Sequence, residues 1–172
     1  MNKIKIALVG ISSLLQNRFI VEENGSKKTK KVYDPQDEAE IRLFKNSDGI
    51  IYEPSTHIEA SITKAALNFK YDKRKSYSEF IKSGVFVTRE NIPHLFQAWQ
   101  IFSCPVVVQR QRIVRHRPLF DKWRLEFEIE IFNENIDTKT LKEIFTYAGR
   151  FIGIGDYRPR HGRFVVEKFE EQ

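Results

Sequence analysis

Stretches of apolar residues, two of which alternate with polar residues, predict four extended segments along the chain. Residues 3–10 alternate lysine with aliphatic residues, residues 123–131 keep a strict period of two, and residues 164–169 form a last short strand. Residues 106–117 form a further extended stretch that ends at Pro118. Because only a short turn separates this stretch from 123–131, we expect the two to pair as an antiparallel hairpin.

Apolar residues at helical spacing predict a first core helix after residue 55. Thr56 and Glu59 stand at the spacing of a capping box, in which each side chain satisfies a free backbone N–H group. An apolar face follows at Ile58, Ile62, Ala65, Ala66 and Phe69. This pattern predicts a buried helix with a polar N-terminus.

Two further helices are predicted from their start signals. Asp34 and Pro35 open a short helix over residues 37–44. Asp137 or Thr138 opens a second one, which we expect to stop at Gly149. Its apolar face consists of Leu141, Ile144, Phe145 and Ala148.

The order strand, helix, strand, strand, helix, strand predicts an α+β fold. It is the βαββαβ plan of ferredoxin-like and RRM-like proteins, with one antiparallel sheet. We expect residues 1–172 to form a single RRM-like domain with insertions at about 15–50 and 70–103.

Composition favours a soluble, folded protein of a reducing cytoplasm. Hydrophobic residues make up 41% of the 172 residues, yet no apolar run approaches the ~20 residues of a membrane helix. The basic and then apolar N-terminus alternates with lysine, so it predicts a strand and no signal peptide. Cys104 is the single cysteine, which excludes an internal disulfide and a cysteine-based zinc cluster. We expect no membrane partner, no metal and no cofactor.

Positive charge is in excess and is clustered. Lysine and arginine exceed aspartate and glutamate by 29 − 23 = 6, which favours a polyanionic partner. A polar segment at 22–31 carries the first cluster and is expected to form a mobile loop. The clusters are Lys27, Lys28, Lys30 and Lys31; Lys70, Lys73, Arg74 and Lys75; Arg110, Arg112, Arg115 and Arg117; and the arginines at 158–163.

The segment between the last helix and the last strand has the composition of an anion-binding loop. Glycines permit positive φ and close backbone approach, and arginines offer bidentate donors to phosphate. A tyrosine in the same loop can stack on a base. The residues are Gly153, Gly155, Tyr157, Arg158, Arg160, His161, Gly162 and Arg163. The alternative is a glycine-rich turn whose arginines are only solvated.

Two further groups are candidate nucleic-acid contacts. Ser55, Thr56 and His57 stand at a predicted helix N-terminus, where free N–H groups favour an anion, although ordinary capping is the alternative. Arg110, Arg112 and Arg115 lie on a basic strand and are expected to hold phosphates, unless they pair with acidic residues of the neighbouring strand.

Three segments carry a resemblance to a known family. They are the N-terminal strand running into Gly10-Ile11-Ser12-Ser13, the helix start Tyr52-Glu53-Pro54-Ser55-Thr56, and the loop Gly153-Ile154-Gly155 to Gly162-Arg163-Phe164. Together they resemble the RAMP superfamily of CRISPR effector proteins, especially the subunits that form the RNA backbone. The missing glycine at the helix start and the insertion of 156–160 in the loop suggest a divergent relative, from a virus or prophage. The resemblance implies an RRM-like fold, binding of RNA or another single-stranded nucleic acid, and side-by-side assembly along the strand.

A nuclease and a protein-binding subunit stay open as alternatives. Some RAMP proteins resemble metal-independent ribonucleases in which a histidine acts as general acid or base. His161, between Arg160 and Arg163, is the candidate, followed by His57 and His116. A viral interaction or anti-defence subunit is the third class. We expect a protein that binds single-stranded nucleic acid, RNA favoured, and that assembles with itself or with sister subunits.

Overall fold

The central element of the molecule is its first strand, which has neighbours on both sides. The structure, a computed structural model, describes residues 2–20 and 34–172. The predicted loop at 22–31 and its four lysines lie outside those ranges. In chain order the elements are β1 (Asn2–Gly10), β2 (Leu14–Leu15), α1 (Pro35–Ile41), β3 (Tyr52–Pro54), α2 (Ser55–Ala66), α3 (Ser78–Gly84), β4 (Val85–Val87), β5 (Asn91–Pro93), β6 (Gln100–Val108), β7 (Gln111–Phe120), β8 (Arg124–Ile131), α4 (Thr138–Tyr147) and β9 (Phe164–Glu171).

The main sheet has the strand order β4-β8-β1-β9, and every neighbouring pair is antiparallel. Together with α2 and α4, these strands give the βαββαβ connection of a ferredoxin-like fold. The predicted α+β, ferredoxin-like class is therefore confirmed. The division into one domain with insertions at about 15–50 and 70–103 stays a prediction.

One face of the main sheet forms the core because the strands alternate strictly. Ile4, Ile6 and Leu8 of β1 are buried in one apolar cluster with Ile58 and Ile62 of α2. The opposite face is charged: Lys3 pairs with Glu130 at 2.9 Å and Lys5 with Glu128 at 3.7 Å across the β1–β8 register. RRM proteins stack bases on aromatic residues of that face. Here it carries a ladder of opposite charges.

The second strand of the plan is β4, and it lies within the 70–103 segment. The predicted hairpin between 106–117 and 123–131 is wrong. Residues 100–120 instead fold back on themselves, as β6 and β7 joined at Gln109 and Arg110, both of which have positive φ. This β6–β7 hairpin joins β2 in a separate three-stranded sheet, while β8 inserts between β1 and β4. Burial of Leu125, Phe127, Ile129 and Ile131 favours that central position for β8.

Two of the three predicted helix caps are confirmed, those of α1 and α4, and the one at α2 is wrong. Asp34 caps α1 by accepting from the Gln36 N–H at 3.1 Å, and Asp137 caps α4 by accepting from the Thr140 N–H at 2.8 Å, as expected. The capping box at α2 is wrong. This helix begins at Ser55 after Pro54 without a side-chain cap, and the Glu59 carboxylate accepts instead from the Val87 N–H of β4.

Gly149 does not stop the last helix. The chain continues through a π-helical turn, Ala148–Ile152, and ends helical structure at Gly153, whose φ is +75°. A side chain at position 149 would overlap the carbonyl oxygen and the ring of Phe164. Gly149 therefore permits close packing of the turn on β9, and the loop rich in glycine and arginine starts at Gly153.

Candidate nucleic-acid interface

Two glycines fit the C-terminal loop, residues 153–163, tightly against the protein. Gly155 and Gly162 have φ of +75° and +78°, which L-residues rarely adopt. A Cβ at Gly155 would stand 2.5 Å from the Leu15 carbonyl oxygen, and one at Gly162 would overlap the Ile154 carbonyl oxygen. These glycines therefore let the loop pack closely against the protein's own backbone.

Backbone hydrogen bonds anchor the C-terminal loop to the segment that follows β1. The Gly162 N–H donates to the Ser13 carbonyl at 2.8 Å, and the Asp156 N–H donates to the Leu15 carbonyl at 2.9 Å. The Gly153 carbonyl accepts from the Ser61 hydroxyl of α2 at 2.8 Å. These bonds tie the loop to two parts of the core, so its exposed tip projects from a fixed base.

The exposed part of the C-terminal loop carries cations without ionic partners. Arg158, Arg160 and Arg163 are all exposed, and none forms an ion pair with a carboxylate of residues 2–20 or 34–172. In the same ranges the backbone N–H groups of Tyr157 and Arg158 have no hydrogen-bond partner. Unpaired cations beside free N–H groups on one tip create a site that favours an anion.

His161 lies under this tip and is 8% exposed. Its Nδ1 is 2.8 Å from the Ser13 hydroxyl, and its ring packs edge-on against Phe102 of β6 at 5.4 Å between centroids. Burial, with the charge of Arg160 as a second cause, lowers the pKa of His161 below its usual 6.5. The contacts are those of a structural histidine, and its role as general acid or base stays a prediction.

Arg117, which was not among the predicted site residues, connects the C-terminal loop to the β6–β7 hairpin. Its side chain is 13% exposed, and its Nη1 lies 2.8 Å from Asp156 Oδ2. The two groups are held by charge, because the N–H is not aligned for a hydrogen bond. The guanidinium also lies over the Tyr157 ring, 5.1 Å from its centroid. Tyr157 is 45% exposed and has a φ of +55°, which is unusual for an aromatic residue.

The three hairpin arginines that were predicted to bind phosphate are in different environments. Arg110 and Arg112 are exposed at the tip of the β6–β7 hairpin. Arg115 pairs with Glu38 of α1, at 3.0 Å from Nη1 to Oε1, and the Glu38 side chain is buried. The expected alternative, pairing with β8, is wrong because β8 is not the neighbour of β7. Arg115 instead fastens α1 to the hairpin.

The start of α2 differs from the expected anion site. Ser55 is buried and its N–H donates to the Glu90 carbonyl at 2.8 Å. His57 is partly exposed, but its Nδ1 lies 2.5 Å from Oε1 of Glu53. Only Thr56 of this group is exposed and free of side-chain bonds in the described ranges. The structure therefore brings Thr56 to the surface and commits Ser55 and His57 to contacts within the protein.

The carboxylate next to His57 belongs to Glu53, a buried residue that was not predicted as a site residue. Glu53 has no exposed side-chain surface and contacts His57, His94 and Gln16, the last at 3.0 Å. Burial raises the pKa of Glu53, but the hydrogen bonds and positive charge of the two histidines outweigh it and bring the pKa to about 2. In the sequence, this contact is indicated only by the spacing of Glu53 and His57, which stand four residues apart.

A groove borders the exposed side of the C-terminal loop. It has a volume of about 280 Å³ and is lined by Lys64, Phe151, Ile152, Gly155, Asp156, Tyr157, Arg158 and Pro159. Lys64 and Phe151 were not predicted as site residues. Lys64 lies on α2, far from the loop in the sequence, and Phe151 lies just before the first glycine of the loop. We call this feature the loop groove.

Two further findings on residues 2–20 and 34–172 concern metal ligation and membrane crossing. No group of three histidine, cysteine or acidic residues in them is arranged to hold a metal ion. None of the helices seen at 2–20 and 34–172 is long and apolar enough to cross a membrane.

Comparisons with known proteins support the fold. No protein-family model and no curated protein matches the sequence. Among solved structures, the chain is similar to one described as the Type III-B Cmr-beta complex bound to cognate target RNA, with a TM-score of 0.64 and 10% sequence identity. The match covers 99% of this chain and 60% of the other, so this chain spans less than two thirds of its structural neighbour. At this identity the match establishes the fold, which is also the fold that the RAMP resemblance implied.

Proposed function

We propose that the protein is a cytoplasmic subunit that binds single-stranded RNA through its C-terminal loop and assembles with sister subunits or copies of itself along the strand. The observation that carries the proposal is the C-terminal loop, where Arg158, Arg160 and Arg163 are exposed and unpaired within the described residues. Cations without ionic partners retain their full charge for a ligand, and arginine suits phosphate.

The charge distribution supports a backbone contact along one side of the molecule. The exposed Arg110 and Arg112 extend from the hairpin that Arg117 joins to the C-terminal loop. The outer face of the main sheet, in contrast, pairs its lysines with glutamates. A strand would therefore follow the loop and hairpin, and leave the sheet face uncovered.

The likeness to the Type III-B Cmr-beta structure favours RNA over other polyanions. That complex is described as bound to cognate target RNA, and the RAMP resemblance of the sequence independently implies single-stranded nucleic acid. The proposal that the present protein is a divergent, viral or prophage relative rests on two departures from the RAMP motifs, the missing glycine at the helix start and residues 156–160 within the loop.

The proposal is tested by equilibrium binding of the purified protein to labelled RNA and DNA of equal sequence, each single-stranded and duplex, at two salt concentrations. We expect the tightest binding to single-stranded RNA and a loss of affinity at higher salt, because phosphate contacts release counterions. Size-exclusion chromatography of the complexes should reveal several protein copies on a long strand.

The same samples separate the alternatives. Intact strands on a denaturing gel would support the binding subunit, whereas shortened strands formed in the presence of EDTA would favour the metal-independent ribonuclease. Absence of binding to every nucleic acid at low salt would overturn the proposal and favour a protein-interaction role.

A further inference from the structure

The loop groove combines aromatic and cationic side chains. Its volume of about 280 Å³ lies just below the usual range of small-ligand pockets. Two aromatic residues border it, Phe151 and Tyr157, and two cations, Lys64 and Arg158. Binding a nucleotide requires a flat apolar surface for the base and positive charge for the phosphate, and the groove offers both.

Phe151 is exposed although it lies in a segment that packs on the core. Its side chain is 57% exposed at the surface of the π-helical turn, and its ring packs against Tyr147 at 4.7 Å between centroids. Neighbouring Gly149 and Ile152 are buried or half-buried. Contact with Tyr147 restricts the ring of Phe151, and its exposed area can stack on a base.

Tyr157 is held in place by contacts with the β6–β7 hairpin. Arg117 lies over one face of its ring, and the Cys104 sulfur is 3.5 Å from its hydroxyl. Its positive φ is a strained conformation for a large side chain, and such conformations persist where surrounding contacts maintain them, often at binding sites. The residue stays 45% exposed and lines the groove, so the ring is oriented before any ligand arrives.

The cations of the groove come from two separate elements. Lys64 lies in the last turn of α2 and is exposed, and Arg158 belongs to the loop tip. Neither pairs with a carboxylate within residues 2–20 and 34–172. The only acidic residue of the lining, Asp156, is paired with Arg117. The groove therefore carries net positive charge.

We propose that the loop groove is a subsite that takes one base of a bound strand against Phe151 and Tyr157, with its phosphate held by Lys64 and Arg158. This inference rests on the proposed binding of single-stranded RNA and adds the place where a base, rather than the backbone alone, is bound. Stacking does not distinguish among bases, so the subsite adds affinity without sequence preference.

The test compares an oligouridylate with an abasic ribose-phosphate chain of equal length and charge. We expect the wild-type protein to bind the oligouridylate about tenfold more tightly, the size expected of one stacked base. Phe151→Leu should remove most of that difference and leave the affinity for the abasic chain unchanged. Phe96→Leu is the matched control, because Phe96 is a similarly exposed phenylalanine that lies outside the groove.

The outcomes for the subsite and for RNA binding itself are distinguishable. Equal affinity of the wild type for both chains, or equal effects of Phe151→Leu and Phe96→Leu, would overturn the subsite while RNA binding stands. Failure to bind either chain would overturn the binding proposal. Uridine monophosphate binding as tightly as the oligouridylate would indicate a receptor for free nucleotides and contradict a subsite for a strand.

Discussion

The guanidinium of Arg117 lies over the ring of Tyr157, 5.1 Å from its centroid, and so fastens the tip of the C-terminal loop to the β6–β7 hairpin. Two segments that are 40 residues apart in the sequence thereby become one surface. The contact also explains why a residue of the basic cluster at 110–117 is withdrawn from solvent. Arg117 is 13% exposed and contacts two lining residues of the loop groove, Tyr157 and Asp156, and we therefore regard it as a positioning residue.

Replacing Arg117 by methionine should weaken binding of base-containing RNA about fivefold. The aliphatic part of the side chain is kept, but the charge over Tyr157 and the partner of Asp156 are lost. The measurement is fluorescence anisotropy with oligouridylate and with the abasic chain. A loss confined to the oligouridylate supports positioning, whereas an equal loss on both chains would indicate a direct phosphate contact.

Asp156→Asn is the companion variant, since it removes the ion pair and keeps the guanidinium over the ring. It should lower the melting temperature by a few degrees, as expected for a loss of about 1 kcal/mol in a chain of this size. RNA affinity should change little. If Asp156→Asn weakened RNA binding as much as Arg117→Met, the loss of affinity in both variants would be due to the broken ion pair.

Gly162→Ala should destabilise the protein by about 3 kcal/mol or more, because the added methyl group meets the Ile154 carbonyl oxygen in addition to the strained backbone. Gly49→Ala is the matched control: its φ is +80°, but nothing lies within 4 Å of the added atom. That variant should lose only about 1 kcal/mol. Thermal unfolding of both variants checks the difference, and equal losses would contradict the packing role of Gly162.

Glu53 should make stability depend on acid pH. Its pKa is about 2 in the folded protein against a usual 4.5, so the unfolded chain binds the proton first as the pH falls. The stabilisation is complete above about pH 4.5 and is lost between there and pH 2. Denaturant unfolding at a series of pH values should show a shallower acid loss for Glu53→Gln than for wild type.

The control for that series is Glu143→Gln, an exposed position on α4. It should reproduce the wild-type pH dependence. A Glu53→Gln profile parallel to wild type throughout the acid range would show that the buried cluster does not set the acid response.

His161 should contribute less stability as the pH falls below about 6.5. Its folded-state pKa is lowered by burial and by Arg160, so protonation favours the unfolded chain. The melting temperature of wild type should exceed that of His161→Gln at neutral pH, and the gap should narrow toward pH 5. A constant gap would contradict a buried, neutral imidazole.

The same variant addresses the ribonuclease alternative. If His161 is structural, its substitution changes stability and leaves RNA intact in both proteins. RNA cleavage by wild type that disappears in a folded His161→Gln variant would instead make His161 catalytic.

Most of the ferredoxin-like plan could be predicted because its strands are locally periodic. β1 and β8 alternate in the sequence, β9 begins with a run of apolar residues, and α4 has both a capping residue and an apolar face. These signals depend on each residue and its near neighbours. They need no knowledge of which strand lies beside which.

Strand pairing was predicted wrongly because the decisive turn has no glycine or asparagine–glycine signal. Gln109 and Arg110 both adopt positive φ, and this divides one extended stretch into β6 and β7. The true second strand, β4, has only three residues and no visible alternation. The place of β4 in the sheet depends on its pairing with β8, a strand that is distant from it in the sequence.

The candidate site was predicted in part for a similar reason. Composition alone located the C-terminal loop, and its three arginines are exposed. Composition could not reveal that Arg115 and Arg117 bind the acidic residues Glu38 and Asp156, because these partners come from other elements. Nor could it reveal Lys64, which approaches the loop only after folding, or the exposure of Phe151, which lies just before the loop in the sequence.

The most direct test of the central claim is the salt dependence of RNA binding by Arg158→Ala/Arg160→Ala, compared with wild type and with Lys139→Ala/Lys142→Ala. The control removes two equally exposed cations from α4. We expect the loop variant to bind single-stranded RNA at least tenfold more weakly at low salt, with a salt slope reduced by about one to two phosphate contacts, while the control keeps the wild-type slope. Equal slopes for all three proteins would contradict a C-terminal loop that binds the phosphate backbone.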